Sequence, residues 1–311
     1  MNLQVRKEYT RLLGAEDLPT MIEGYKIVTD AGFTILNQHG REKEKIVWNH
    51  DGKLLFQMTV LKSLPLLQLS NPISYSNSVD GSSLNNTYDP FAMDNLVRAQ
   101  YEAFCNFNNI YIQSKSEDER VLKYNLWVLS GLNYRQRFNV ASDYAIEKKK
   151  NEAKEIEELV AVTIANKCYL QLDEQSKKNI DDGINKRDWQ FKVDGNKAYK
   201  VGWHEMMTNA GANAMLEDQY SHLSLNTHPS NVSVFQFGSM YVERMQEFNV
   251  RMAMKLSKIF LAMFIRDYCV YFSGCGEMFN KLPSIHQLLI NSYNTMFRGE
   301  VYKLNDHWQA V

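Results

Sequence analysis

Residues 90–113, PFAMDNLVRAQYEAFCNFNNIYIQ, decide the fold class of this chain. Apolar and aromatic residues recur there at steps of three and four, which is the spacing of one face of an α-helix. The pair Asp89-Pro90 provides the start, because proline fits the first turn of a helix. Similar stretches fill most of the chain between sparse glycines and prolines. We therefore predict a fold that is mostly all-α.

Further start signals place the other elements. Asp17 followed by Pro19 marks one helix start, and Ser116 with Glu119 forms a capping box for another. Apolar and polar residues alternate on both sides of Asp194-Gly195, which predicts a small hairpin or extended insert near residues 190–201. The predicted helices cover, approximately, residues 17–38, 53–70, 90–113, 116–138, a segment from 142 onward, 203–211, 212–228, 239–272 and 283–297.

These elements predict a single helical domain over residues 1–311. It has an N-terminal helical part (1–70), a central bundle (about 90–235) and C-terminal helices (239–297). Between the first two parts lies NPISYSNSVDGSSLNNTYD, residues 71–89, which offers little apolar area to offset the entropy of ordering. We expect this segment to be a mobile loop, either a functional lid or disordered.

Composition excludes several classes of protein. With 35 basic and 36 acidic residues, the formal net charge is −1, so the chain lacks the broad positive field typical of non-specific nucleic-acid binding. The N-terminus has no apolar run of signal-peptide length, and the most apolar late stretch, residues 254–273, is interrupted by charges. We expect a cytoplasmic protein that does not enter a membrane. Its four cysteines match no zinc or redox spacing and are expected to be buried thiols: Cys105, Cys168, Cys269 and Cys275.

Arg98 and Glu102 are the first candidate functional pair. They lie four residues apart on the aromatic helix 90–113, so they can form an intrahelical ion pair. On an exposed face such a pair contributes little to the stability of the fold. Asparagines continue the polar character of this helix among its aromatic residues. The pair can therefore belong to a buried polar network, either structural or functional.

Tyr220, Ser224 and His228 recur at four-residue steps in residues 215–237, MLEDQYSHLSLNTHPSNVSVFQF. If this stretch is helical up to Pro229, the three side chains share one face. They can present a ligand site, and we predict that Arg98 or Glu102 comes within hydrogen-bond or one-water reach of them, because the polar faces of two otherwise apolar helices need partners. Alternatively, Tyr220 packs with a satisfied hydroxyl, Ser224 bonds back to its own helix, and His228 caps the helix end.

Other sequence signatures limit the chemistry. Three of the seven histidines fall within a short region that starts at Trp203, which favours an acid/base site. No HExxH or H-x-x-x-H spacing occurs, so we expect no metal and no cofactor. Ser224 lacks a surrounding GxSxG, and no phosphate loop or GxGxxG is present. A serine hydrolase and a classical nucleotide-binding fold are therefore disfavoured.

Taken together, three segments resemble a bacterial HEPN-like helical family of unassigned function. They are R-x-x-x-E in the aromatic helix, the tryptophan segment VGWHEMMTNAG, and Y-x-x-x-S-x-x-x-H-P-S from Tyr220 to Ser230. The likeness covers residues 90–235 or so. It implies a HEPN-like helical bundle with extra N- and C-terminal helices. HEPN-like proteins are typically dimers, and many are metal-independent ribonucleases in toxin and anti-phage systems. Their usual Arg followed by His after four to six residues is missing here, since Leu223 stands five before His228.

The resemblance implies a defence- or toxin-related protein with an inter-helical pocket for RNA, a nucleotide or a phosphate-bearing ligand. His228 would be the general acid/base and Arg98 the anion clamp. The expected partners are a second copy of the chain and a cognate antitoxin or sensor protein. The alternative is a non-catalytic dimerisation or partner-binding module with a structural polar core. The candidate residues are His228, Arg98 and Glu102 for catalysis, and Tyr220, Ser224, Trp203 and Ser230 for ligand binding.

Overall fold

A computed structural model describes residues 3–242 and 245–304. It is 73% helical with two small two-stranded sheets, which confirms the prediction of a mostly all-α fold. The first elements in chain order are α1 (Leu3–Leu13), α2 (Leu18–His39), α3 (Val47–Leu69), β1 (Ile73–Ser76), β2 (Ser83–Thr87) and α4 (Pro90–Phe107), which continues as a π-helical turn (Asn108–Ile112). Then come α5 (Glu117–Arg135), α6 (Asp143–Ile164), α7 (Lys167–Leu170), α8 (Glu174–Lys186), β3 (Phe191–Asp194), β4 (Lys197–Lys200) and α9 (Trp203–Asn209). The last are α10 (Gln219–Leu225), α11 (Asn231–Val242), α12 (Gln246–Tyr271), α13 (Ser273–Asn280) and α14 (Ser284–Arg298), with short 3-10 turns at Ala214–Leu216 and Glu300–Tyr302.

The chain divides into two compact units. One comprises Met1–Phe107 with Ala210–Val311, and the other comprises Asn108–Asn209. The expectation of a single domain over residues 1–311 stays a prediction. Within the described residues, no helix combines the length and apolar character needed to cross a membrane.

The first unit is organised around α12, which packs against α2, α3, α4 and α14. This helix is apolar on nearly all sides and is accordingly buried on nearly all sides. The Tyr268 ring stacks on Phe56 of α3 with centroids 4.1 Å apart. A buried polar network crosses the same core: Ser257 of α12 lies 2.7 Å from the Tyr25 hydroxyl and 2.5 Å from Oε1 of Gln100. Such satisfied networks fix how helices pack.

The second unit joins the α5–α6 pair to the predicted hairpin, β3–β4, which packs on α8. Its apolar core contains residues from helices and from both strands, among them Leu122, Ile180, Phe191 and Ala198. Lys123 is buried beside it and forms a 2.7 Å ion pair with Glu119. The hairpin is therefore a structural part of this unit.

The helix starts predicted from Asp17 and Ser116 are confirmed. Asp17 accepts a hydrogen bond from the Thr20 amide at 2.9 Å, and Ser116 accepts one from the Glu119 amide at 3.1 Å. Ser142 caps α6. Of the four cysteines, three are buried and Cys168 is only half-buried; all four are free thiols.

Three predicted helices are wrong in extent. The helix expected over 53–70 begins six residues earlier, at Val47. The helix expected over 212–228 is only Gln219–Leu225. The helix expected over 239–272 is two helices, because α11 begins at Asn231 and α12 at Gln246. The Met245 amide bonds to the Met240 carbonyl at 3.0 Å, a five-residue step that leaves the α-helical ladder. Glu243 and Arg244, which the longer helix would have included, lie outside the described residues.

The segment 71–89, expected to be a loop, contains the antiparallel hairpin β1–β2. Its turn has local hydrogen-bond partners. The Asn77 amide donates to the Ser82 carbonyl, and the Asn77 carbonyl accepts from the Gly81 amide. The Asn77 side chain accepts from the Val79 amide at 2.9 Å. Gly81 adopts a φ of +73°, which glycine allows without strain. Turn chemistry thus forms a hairpin here despite the low apolar content. Its mobility stays a prediction.

Candidate functional site

A polar stripe on α4 is the centre of the candidate site. Asp94, Arg98 and Glu102 follow one another at four-residue steps and therefore lie on one face. The other faces of α4 are packed into the core of the first unit against α3 and α12. The stripe faces α10 and the turn that follows it, as the hydrogen bonds below establish.

Arg98, Glu102 and Tyr220 form a closed triangle of polar contacts. The Arg98 Nε donates to Glu102 at 2.9 Å and its Nη2 donates to the Tyr220 hydroxyl at 3.0 Å. The hydroxyl lies 3.4 Å from the same Glu102 oxygen. Tyr220 also packs against Tyr101, with ring centroids 5.5 Å apart. The predicted approach of helix 90–113 to the Tyr220 helix is therefore confirmed.

The triangle is partly shielded from water. The Arg98 side chain is 22% exposed and that of Glu102 is 32% exposed. Burial alone would lower the pKa of the Arg98 guanidinium, but the charge of Glu102 and the Tyr220 hydroxyl outweigh this effect and raise it. Arg98 is thus a permanently charged group whose charge is balanced by Glu102.

Ser224 does not join this triangle. Its hydroxyl donates to the Tyr220 carbonyl at 2.7 Å, one turn back in α10. This back-bond is the common behaviour of serine within helices.

His228 lies outside α10, contrary to the expectation of one helical face. The helix ends at Leu225, and residues 226–229 form a turn that includes Pro229. Pro229 also disfavours helical geometry at His228, the residue before it. The His228 carbonyl accepts hydrogen bonds from the Ser230 amide at 2.7 Å and the Ser233 hydroxyl at 2.8 Å.

The side chain of His228 is exposed and lines a cavity of about 330 Å³. The walls are mainly apolar and include Phe91 of α4 with Val234 and Phe237 of α11. Among the described residues, no hydrogen bond joins the His228 ring to Arg98 or Glu102. His228 and the α4 stripe are therefore two features of the first unit without a direct hydrogen bond, and their joint catalytic role stays a prediction.

The other two predicted site residues, Ser230 and Trp203, have different surroundings from each other. Ser230 precedes α11, and its hydroxyl accepts from the Ser233 amide at 3.1 Å, as a helix cap does. Trp203 begins α9 in the second unit, where its ring lies edge to face against Trp189 at 5.7 Å.

Asp94 is the site residue that the sequence analysis missed. Its carboxylate accepts a hydrogen bond from the side-chain amide of Asn226 at 2.7 Å, which connects α4 to the turn after α10. Burial raises the pKa of Asp94 to about 6, although the Asn226 hydrogen bond and His222 lower it. One sequence signal pointed to it, because Asp94 stands one helical turn before Arg98.

Comparison with known proteins gave no match to a protein family, to a curated protein or to a solved structure.

Proposed function

We propose that the chain is a non-catalytic helical module that works by self-association, with the Arg98–Glu102–Tyr220 triangle as a structural polar core. The observation that carries this proposal is α11. Its sequence, NVSVFQFGSMYV, contains no charged residue, yet only Ser233 and Met240 are buried. A helix that is apolar on most sides normally lies in a core or in an interface.

We call the exposed apolar side chains of α11 and of the start of α12 the α11 surface. Its exposed fractions are 68% for Phe235, 46% for Phe237, 85% for Val242 and 46% for Phe248. A phenylalanine offers roughly 150–250 Å². These three rings together expose on the order of 300 Å², and valines add to it, so the total area is comparable with that of the largest apolar patches on monomers.

A second copy is the occupant that this surface fits. A standard interface buries roughly 800 Å² on each partner, and the α11 surface supplies a large part of that area. Because α11 carries no charge, two copies can meet across a twofold axis without bringing like charges together. The Arg98–Glu102 ion pair supports the same proposal, because Arg98 already has an anionic partner and needs no phosphate-bearing ligand to balance its charge.

The oligomeric state of a charged variant tests this proposal. Phe235→Glu places a carboxylate in the centre of the α11 surface and is expected to convert a dimer to a monomer with unchanged helicity. Phe138→Glu, at a comparably exposed ring in the second unit, is the matched control and should remain dimeric. Light scattering after size exclusion measures both. A wild-type chain that is monomeric at every concentration contradicts the proposal.

A second candidate function comes from the cavity beside His228. A cytosolic, defence- or toxin-related HEPN-like protein would bind RNA, a nucleotide or another phosphate-bearing ligand there, with His228 as general acid/base and an antitoxin or sensor as partner. The exposed imidazole at a cavity of about 330 Å³ favours this candidate.

RNA degradation by the wild type, His228→Ala and the exposed-histidine control His50→Ala separates the two candidates. Loss of cleavage in His228→Ala alone, with an unchanged melting temperature, supports the second candidate. A wild type that cleaves no RNA removes the ribonuclease proposal.

A further inference from the structure

A second cavity lies on the other side of the turn after α10. Its volume is about 180 Å³, and its walls come from α4, α10, the Asn226 turn, α11 and α12, all in the first unit. Several of its lining side chains are polar, and one of them carries a buried carboxyl group. The residues that matter here are Phe91, Asp94, Asn226, Gln236, Ser239 and Asn249.

Two hydrogen-bond acceptors on residues that line this cavity have no donor among the described residues. Asn226 donates through Nδ2 to Asp94 Oδ2 at 2.7 Å, which fixes the direction of the Asn226 amide. Its carbonyl Oδ1 is buried and accepts no hydrogen bond from the described residues. The other carboxylate oxygen, Asp94 Oδ1, likewise accepts none from the described part of the chain. A buried acceptor without a donor costs roughly 1–3 kcal/mol, so this pair is suited to a ligand that brings donors.

We propose that this cavity binds a small primary ammonium compound. Its cationic nitrogen donates to Asp94 Oδ1 and Asn226 Oδ1, and its short polar chain lies against Gln236, Ser239 and Asn249. An ammonium group supplies the donors and the positive charge that a single buried carboxylate requires. A cavity of about 150 Å³ can hold a six-carbon ring, so this one accommodates a molecule of a few non-hydrogen atoms.

The charges around Asp94 give this binding a pH dependence. The titratable groups that face it are His222 on α10 and Asp89 before α4. Since burial raises the pKa of Asp94 to about 6, the carboxylate that pairs with the cation forms as the pH rises through about 6. Binding is therefore stronger at higher pH, until the ligand itself loses its proton.

Calorimetric titration with ethanolammonium chloride tests the proposal. Ethylene glycol, which has a hydroxyl in place of the ammonium group, controls for size, and sodium chloride at equal ionic strength controls for screening. Wild type is expected to bind ethanolammonium alone, more tightly at pH 8 than at pH 5. Asp94→Asn keeps the side-chain shape and should weaken binding about tenfold or more. Asp30→Asn, which removes an exposed carboxylate on α2, should not.

Ser239→Leu provides an independent variant, because it fills the cavity from α11 without touching the Asp94–Asn226 hydrogen bond. It should also abolish binding. Equal binding by wild type and Asp94→Asn, equal heats with ethylene glycol or sodium chloride, or no binding of ethanolammonium by the wild type would each overturn the proposal. None of these outcomes depends on whether the chain forms a dimer.

Discussion

Arg98 on α4 donates a 3.0 Å hydrogen bond to the hydroxyl of Tyr220 on α10, across 122 residues of sequence. Four residues earlier on the same face, Asp94 accepts from Asn226 at 2.7 Å. These two contacts fasten α10 and its following turn to α4. The position of the turn that carries His228 therefore depends on the α4 stripe, even though His228 makes no hydrogen bond to that stripe among the described residues.

The energy of the Arg98–Tyr220 contact is measurable by a double-mutant cycle. We expect Arg98→Ala and Tyr220→Phe each to lower the free energy of unfolding, with a coupling of about 0.5–1.5 kcal/mol, because partial exposure reduces the value of a charged hydrogen bond. Urea unfolding of the wild type, both single variants and the double variant gives the coupling. Arg41→Ala, at an exposed arginine, is the control. Additive effects of the two substitutions would mean that the contact does not stabilise the fold.

Asp94 should make stability depend on pH in a defined window. Its folded pKa of about 6 lies above the unconstrained value of 3.8, so the native state binds the proton more tightly than the unfolded state does. The stabilisation is complete below pH 4 or so and is lost as the pH rises through about 6. At roughly 1.4 kcal/mol per pKa unit, the loss is up to about 3 kcal/mol.

Asp94→Asn isolates this effect from the titration of other groups. The difference in unfolding free energy between variant and wild type, measured by urea unfolding from pH 4 to pH 8, should increase in favour of the variant as the pH rises. A difference that is constant with pH would show that Asp94 titrates normally in the folded chain.

The ion pair between Asp267 and Arg298 should be a main determinant of stability in the first unit. Both side chains are fully buried, and Arg298 donates to the two carboxylate oxygens at 2.9 and 3.1 Å. Arg298→Met removes the bidentate partner of a buried carboxylate and leaves Arg266 beside it, so we expect a loss of about 3 kcal/mol or more. Glu247→Gln, which breaks an exposed ion pair with Arg251, should cost less than about 1 kcal/mol. Similar melting temperatures for the two variants would contradict this prediction.

The β1–β2 hairpin should be the first site of proteolysis. Within residues 3–242 and 245–304 its strands pair only with each other, and an isolated two-stranded hairpin is marginally stable. Val79 at its tip is 90% exposed. Chymotrypsin, which cleaves after aromatic residues such as Tyr75, is expected to cut here before elsewhere. The β3–β4 hairpin is the internal control, because Val193 and Ala198 bury it in an apolar core. Initial cleavage in β3–β4 would refute the prediction.

The sequence by itself determined the fold class and many helix starts. These are consequences of local chemistry, because a cap such as Asp17 satisfies the amide groups of its own helix and apolar spacing defines a face without reference to a partner. It also predicted the approach of Arg98 to Tyr220, since two polar faces on otherwise apolar helices need each other as partners.

The tertiary structure alone decided where those faces end and what they enclose. The four-residue spacing of Tyr220, Ser224 and His228 suggested one face, but α10 ends at Leu225. Spacing along the chain does not reveal this end, because a periodic pattern continues through a turn without change. Nor could the sequence assign Asp94 its raised pKa, since that depends on burial by residues far away in the chain. Packing of distant segments therefore places a nearly enclosed carboxyl group beside Asn226.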